Sequence, residues 1–140
     1  MNTAMFTSVS SRSASAYKRV AVQTSIDGAS PHQLISLLYE ALLESLGKAR
    51  AAVERGDVEV KGKEIGRSVR LIEEGLKASL NDDMGGELAV NLRGVYNYSI
   101  LRLTEANLKN DGALIDEVSK LIATVSGAWK SISPTQATNA

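Results

Sequence analysis

His32 is the only histidine in the chain and there is no cysteine, so thiolate nucleophiles and cysteine-bound metals are excluded at the outset. A single histidine also cannot supply the paired Glu-x-x-His ligands of a di-iron bundle. The carboxylates Asp82 and Asp83 beside Gly85 and Gly86 could suggest a cation site. They lack the alternating oxygen ligands and terminal glutamate of a calcium loop, and suit a turn and helix cap better. No glycine-rich loop carries a phosphate-binding lysine, and no motif pairs a serine with His32. His32 reads as an ordinary exposed residue in the first turn of a helix. The expectation is no catalytic residue, no cofactor, no metal and no enzyme.

What remains is recognition of another macromolecule, and the charge narrows its kind. Sixteen basic residues balance sixteen acidic ones over 140 residues, which disfavours nucleic acid as a primary partner. No apolar run approaches the ~20 residues that cross a bilayer, so membrane insertion is not expected. No secretory signal is evident, and the chain is read as cytoplasmic. Residues 1–28 form a Ser/Thr-rich stretch without a single acid before Asp27, expected to be a flexible N-terminal arm. Hydrophobic content of 44% is enough for one core, placed in residues 29–133, with 134–140 as a disordered tail.

The elements that build this core are marked by their caps. Ser30-Pro31-His32-Gln33 combines an N-cap serine, a proline suited to the first helical position and a capping-box glutamine. Helix one then runs to Gly56, where Asp57 offers a cap to helix two. In helix two Val58, Ile65, Val69, Ile72, Leu76 and Leu80 share one stripe. The break at Asn81 to Gly86 precedes a third helix over about Glu87 to Leu108. After Asn110-Asp111-Gly112, the positions Leu114, Val118, Leu121, Ile122, Val125, Trp129 and Ile132 line a fourth. Short connections make this an all-α, antiparallel up-down-up-down four-helix bundle.

Two helices carry more apolar surface than a single core face requires. Helix one spreads Leu34, Ile35, Leu37, Leu38, Tyr39, Ala41, Leu42, Leu43 and Leu46 over roughly two-thirds of its circumference at 100° per residue. Helix three has a core face of Leu88, Leu92, Val95, Tyr96, Leu103 and Ala106, and opposite it a second stripe of Tyr98, Leu101 and Leu108. Packing on both flanks, or cover by the N-terminal arm, is the plain explanation. A groove for amphipathic segments of another protein is the alternative favoured for the stripes together. Ile35, Tyr39 and Leu43 on helix one, with Tyr98, Leu101 and Leu108 on helix three, are the candidate partner-binding residues. The competing reading is a structural or adaptor bundle that uses these faces to self-associate, with a weak homodimer as its simplest form.

The segments Ala29-Ser30-Pro31-His32-Gln33-Leu34-Ile35 and Leu38-Tyr39-Glu40-Ala41 resemble the first-helix signature of the flagellin export chaperone family FliS. Similarity continues through Gly56-Asp57, Gly75-Leu76-Lys77-Ala78, Gly85-Gly86-Glu87, Tyr96-Asn97-Tyr98, Ala106 to Asp111 and Ala128-Trp129-Lys130. It covers about Ala16 to Pro134. Ser99, Leu101 and Ala41 depart from the family's usual residues. Tyr17 matches the family's early tyrosine and joins the candidates as an anchor for the arm. The resemblance implies a chaperone of the bacterial cytosol that binds the C-terminal segment of flagellin, prevents its premature polymerisation and, loaded with client, meets the flagellar type III export gate.

Overall fold

In the computed structural model, residues 29–132 are described, except for the side chains of residues 82–84. Helix α1 spans Pro31–Glu54 and begins on the full capping box: Gln33 N–H donates to Ser30 Oγ at 3.1 Å, and Ser30 N–H donates to Gln33 Oε1 at 2.8 Å. Helix α2 spans Val58–Arg70 and runs on as a π-helical stretch over Leu71–Lys77. Helix α3 spans Asp82–Lys109, but Gly86 at φ 54 and ψ −129 interrupts it, so the regular helix starts at Glu87 as the sequence indicates. Helix α4 spans Gly112–Ser131.

The α1–α2 and α3–α4 turns use the same device. Gly56 (φ 72) and Asn110 (φ 53) each take a left-handed conformation after a helix ends, which glycine adopts freely and asparagine tolerates. The following aspartate closes the ended helix with its backbone: Asp57 N–H donates to the Ala52 carbonyl at 2.9 Å, and Asp111 N–H to the Ala106 carbonyl at 3.1 Å. Its side chain opens the next helix, Asp57 accepting from Val60 N–H and Asp111 from Ala113 N–H. One residue thus ends one helix and starts another, which keeps both turns short.

The helices form a ring in the order α1, α2, α3, α4, with α1 and α3 at opposite corners. His32 at the start of α1 meets Trp129 near the end of α4, whereas Arg50, late in α1, pairs with Asp116, early in α4. Lys61, early in α2, reaches Asn107 and Asn110 at the end of α3. Gly112 leaves room for Arg50, since a Cβ there would stand 2.7 Å from its guanidinium carbon.

The core is a column of Leu34, Leu38, Leu42 and Leu46 from α1, enclosed by Ile65, Leu71, Ile72 and Leu76 of α2, Tyr96 and Leu103 of α3, and Ile115, Val118 and Ile122 of α4. Each such leucine or isoleucine contributes about 1.5–3 kcal/mol through burial. The core differs from the sequence reading at several places, among them Leu71 and Ala89, which are fully buried though placed on no core face. Val58 and Leu88, assigned to core faces, are exposed, because each lies in the first turn of its helix, at an end of the bundle. Ile115, left out of the fourth helix's face, is fully buried beside its neighbour Leu114, which is only partly so.

Candidate functional site

Helix α3 carries an open apolar face. Tyr98, Leu101 and Leu108 are 41%, 60% and 80% exposed, and Val90, at 61%, extends the stripe toward the start of the helix. Eleven residues, close to three turns, separate Val90 from Leu101, so at 100° per residue Val90, Gly94, Leu101 and Leu108 fall within about 40° of one another. Val90 was absent from the sequence-derived stripe although this spacing could have revealed it. Leu101 follows Leu92 by nine residues, half a turn out of phase, which points it away from the core that Leu92 packs against.

The candidates on α1 lie elsewhere. Tyr39 is 1% exposed and Ile35 is also buried, so both belong to the core and not to an open surface. Tyr39 faces across the bundle, where its hydroxyl meets that of Tyr96 at 2.5 Å. Burial pushes the Tyr39 phenol up to about 12, with the bond to Tyr96 opposing, and burial also raises Tyr96 well above its ordinary value. Leu43 is partly buried against the core. Tyr17 lies outside the described residues. The structure therefore brings Tyr98, Leu101 and Leu108 together on one surface and leaves Ile35, Tyr39 and Leu43 out of it.

Where α3 meets α4, the stripe has a fixed polar edge. Tyr98 Oη donates to Glu117 Oε2 at 2.5 Å, Arg102 Nε donates to Glu117 Oε1 at 2.9 Å, and Arg102 Nη1 donates to Glu105 at 3.1 Å. The Arg102 guanidinium also lies 5.8 Å from the centre of the Tyr98 ring. The bonds from Tyr98 and then Arg102 hold the Glu117 carboxyl below its usual range, and the same carboxylate raises Tyr98. Such exposed pairs add little stability. Their consequence is positional: the Tyr98 ring is held against α4 with its side turned to solvent beside Leu101.

His32 has a structural place that sequence reasoning missed. It is half-buried, stacks on Trp129 with ring centres 5.0 Å apart and planes 16° from parallel, and its Nε2–H donates to the Trp129 carbonyl at 2.9 Å. Trp129 Nε1–H returns a bond to the His32 carbonyl at 3.1 Å, so the two residues clasp the start of α1 to the end of α4. Among the described residues no group of three His, Cys, Asp or Glu side chains could hold a metal ion, and no helix is long and apolar enough to cross a membrane.

An all-helical bundle with a row of exposed apolar residues along one outward face has the form of a protein-binding module. Comparison with known proteins gives that class a family. The family model described as Flagellar protein FliS matches residues 13–136, and the chain belongs to this family. It is 44% identical over 119 residues to the flagellar secretion chaperone FliS of Salmonella typhimurium, covering 85% of this chain and 88% of that one. The flagellar secretion chaperone FliSB of Pseudomonas aeruginosa is 44% identical over 117 residues, covering 84% of this chain and 92% of its own length. FliS of Bacillus subtilis is 32% identical over 108 residues, covering 77% and 79%.

Proposed function

We propose that this protein is a cytoplasmic export chaperone that binds the C-terminal segment of flagellin, prevents its premature polymerisation, and supports its delivery to the type III export apparatus of the flagellum. The observation that carries the reading is the open stripe of Val90, Tyr98, Leu101 and Leu108. An amphipathic segment laid on this stripe would bury its own apolar face, and that burial needs no nucleotide or cofactor. Family membership supports a client of the flagellar secretion system, since the relatives are named flagellar secretion chaperones, and flagellin is the client that the sequence resemblance implies.

Calorimetric titration with a flagellin C-terminal peptide at several temperatures tests the mechanism. Apolar docking gives a clearly negative heat-capacity change and an affinity that changes little with salt. Leu101→Glu, which sets a carboxylate where the client's apolar residues dock, abolishes binding while leaving the fold intact. A heat-capacity change near zero with a steep loss of affinity in salt would overturn the apolar mechanism. Sedimentation addresses the competing occupant: a stable dimer that occludes the stripe and excludes the peptide would favour self-association instead.

A further inference from the structure

At the end of the bundle remote from the His32–Trp129 clasp lies a pocket of about 220 Å³. Ala52 and Val53 from the end of α1 and Val58 from the start of α2 give it apolar walls, the turn residues Gly56 and Asn110 border it, and Lys61 lines it from α2. For scale, an apolar cavity of about 150 Å³ in another protein accepts benzene.

Lys61 is unusual for a lysine: it is only 5% exposed. Its ammonium donates to two neutral oxygens, the Asn107 carbonyl at 2.8 Å and Asn110 Oδ1 at 2.5 Å. Those bonds use two of its three N–H groups. They tie α2 to the C-terminal end of α3, whose partial negative charge favours a cation. No carboxylate of a described residue pairs with it. Asp57 at the pocket's edge is engaged otherwise, accepting from Val60 N–H and from Arg55 Nη2. A buried cation held only by neutral acceptors is completed best by an anion. A cation set among apolar walls fits a carboxylate that carries an apolar group beside it.

We propose that this pocket receives the C-terminal α-carboxylate of a bound polypeptide, with the apolar side chain nearest that end lying against Val53 and Val58. The inference rests on the chaperone reading, because the polypeptide is the client lying on the α3 stripe. Continuity supports the assignment: Leu108, the last residue of the stripe, stands two residues before Asn110 of the pocket. Chain ends are thereby distinguished from internal segments of similar apolar character, which gives the chaperone a means of reading that its client is a C-terminal segment.

The test uses the full-length protein and a flagellin C-terminal peptide made as the free acid and as the C-terminal amide. The acid is expected to bind at least tenfold more tightly than the amide. Lys61→Met, which keeps the aliphatic stem and removes the charge, brings the two to equal affinity. Val58→Trp, at the exposed mouth, does the same by filling the pocket while the lysine at 61 is kept, and it decides the matter if Lys61→Met fails to fold. Equal affinities of acid and amide for the parent protein would overturn the pocket assignment and leave the chaperone reading standing. Failure of both peptides to bind would overturn the chaperone reading, and the pocket assignment with it. Competition by hexanoate as effective as that by the acid peptide would make the pocket a site for free short-chain carboxylates and overturn its assignment to a chain end.

Discussion

Helices α1 and α3 occupy opposite corners of the ring and both carry apolar residues on more than one face, yet α1 is covered and α3 is not. Helix α1 packs along α2 on one flank and α4 on the other, and Tyr96 reaches it from across the bundle, so Ile35, Tyr39, Ala41 and Leu42 all find cover. Helix α3 has the same two kinds of neighbour, but Val90, Leu101 and Leu108 point away from both. An apolar arc that is broad and continuous can be served by neighbours on either side. A second stripe half a turn from the core has no neighbour among the described helices, and such a stripe is a candidate surface for a partner.

The largest effect that would sharpen this contrast is on stability. Leu42→Ala, in the fully buried column of α1, is expected to lower unfolding free energy by about 2–5 kcal/mol, whereas Leu101→Ala should stay within about 0.5 kcal/mol. Urea denaturation of both variants checks it, and comparable losses at the two positions would erase the distinction. Next in size is the Tyr39–Tyr96 contact that joins the two helices. Tyr39→Phe leaves the buried Tyr96 hydroxyl without its partner and is expected to cost about 1–3 kcal/mol. The double Phe variant should lose less than the sum of the two single changes, because no orphaned hydroxyl remains. A double-mutant cycle measures this, and strict additivity would show that the pair does not act as a unit.

Much of the fold was legible because its signals are local. Ser30 and Asp57 each form the cap their sequence context implied, and the break at Gly86 fell where two glycines allowed it. The stripe of Tyr98, Leu101 and Leu108 was legible by phase alone. What escaped was set by neighbours. The wheel could not say that Ile35 and Tyr39 would be covered, since coverage depends on where α2, α3 and α4 lie. Leu71, which was not placed on the second helix's stripe, is fully buried with Ile72 and Leu76, because neighbours on both sides cover an arc of about 140° and not a narrow stripe. Lys61 and Glu64 are buried with specific partners, Glu64 accepting from the Ser45 hydroxyl at 2.8 Å. Nothing in the charge pattern marked them, because lysine and glutamate at helical spacing ordinarily face water.

The smallest expected effect separates two tyrosines that stand two residues apart on α3. Tyr96 faces the core and Tyr98 faces the rim, and the groups they bond to should mark opposite ends of the pH dependence of stability. For the core pair the folded state holds its phenol protons more tightly, with Tyr39 at about 12 against an ordinary value near 10. Below pH 10 both folded and unfolded chains are protonated and stability is level. Above it the unfolded chain releases protons first, so stability falls as pH rises from about 10 toward 12. For Glu117 the shift is downward from an ordinary value near 4.5, so the unfolded chain takes up the proton first on acidification. Its contribution is therefore present above that value and is lost as pH falls through the lowered one. Urea melts across pH are expected to show the alkaline decline weakened in Tyr39→Phe/Tyr96→Phe with the acid side unchanged. Glu117→Gln should weaken a small part of the acid decline, and high salt should reduce that part because the groups are exposed. It also removes the minor alkaline share of Tyr98, which the same carboxylate raises. An alkaline decline that survives intact in the double Phe variant would mean that the tyrosine pair does not titrate as a buried unit, and that the link between α1 and α3 is weaker than its geometry implies.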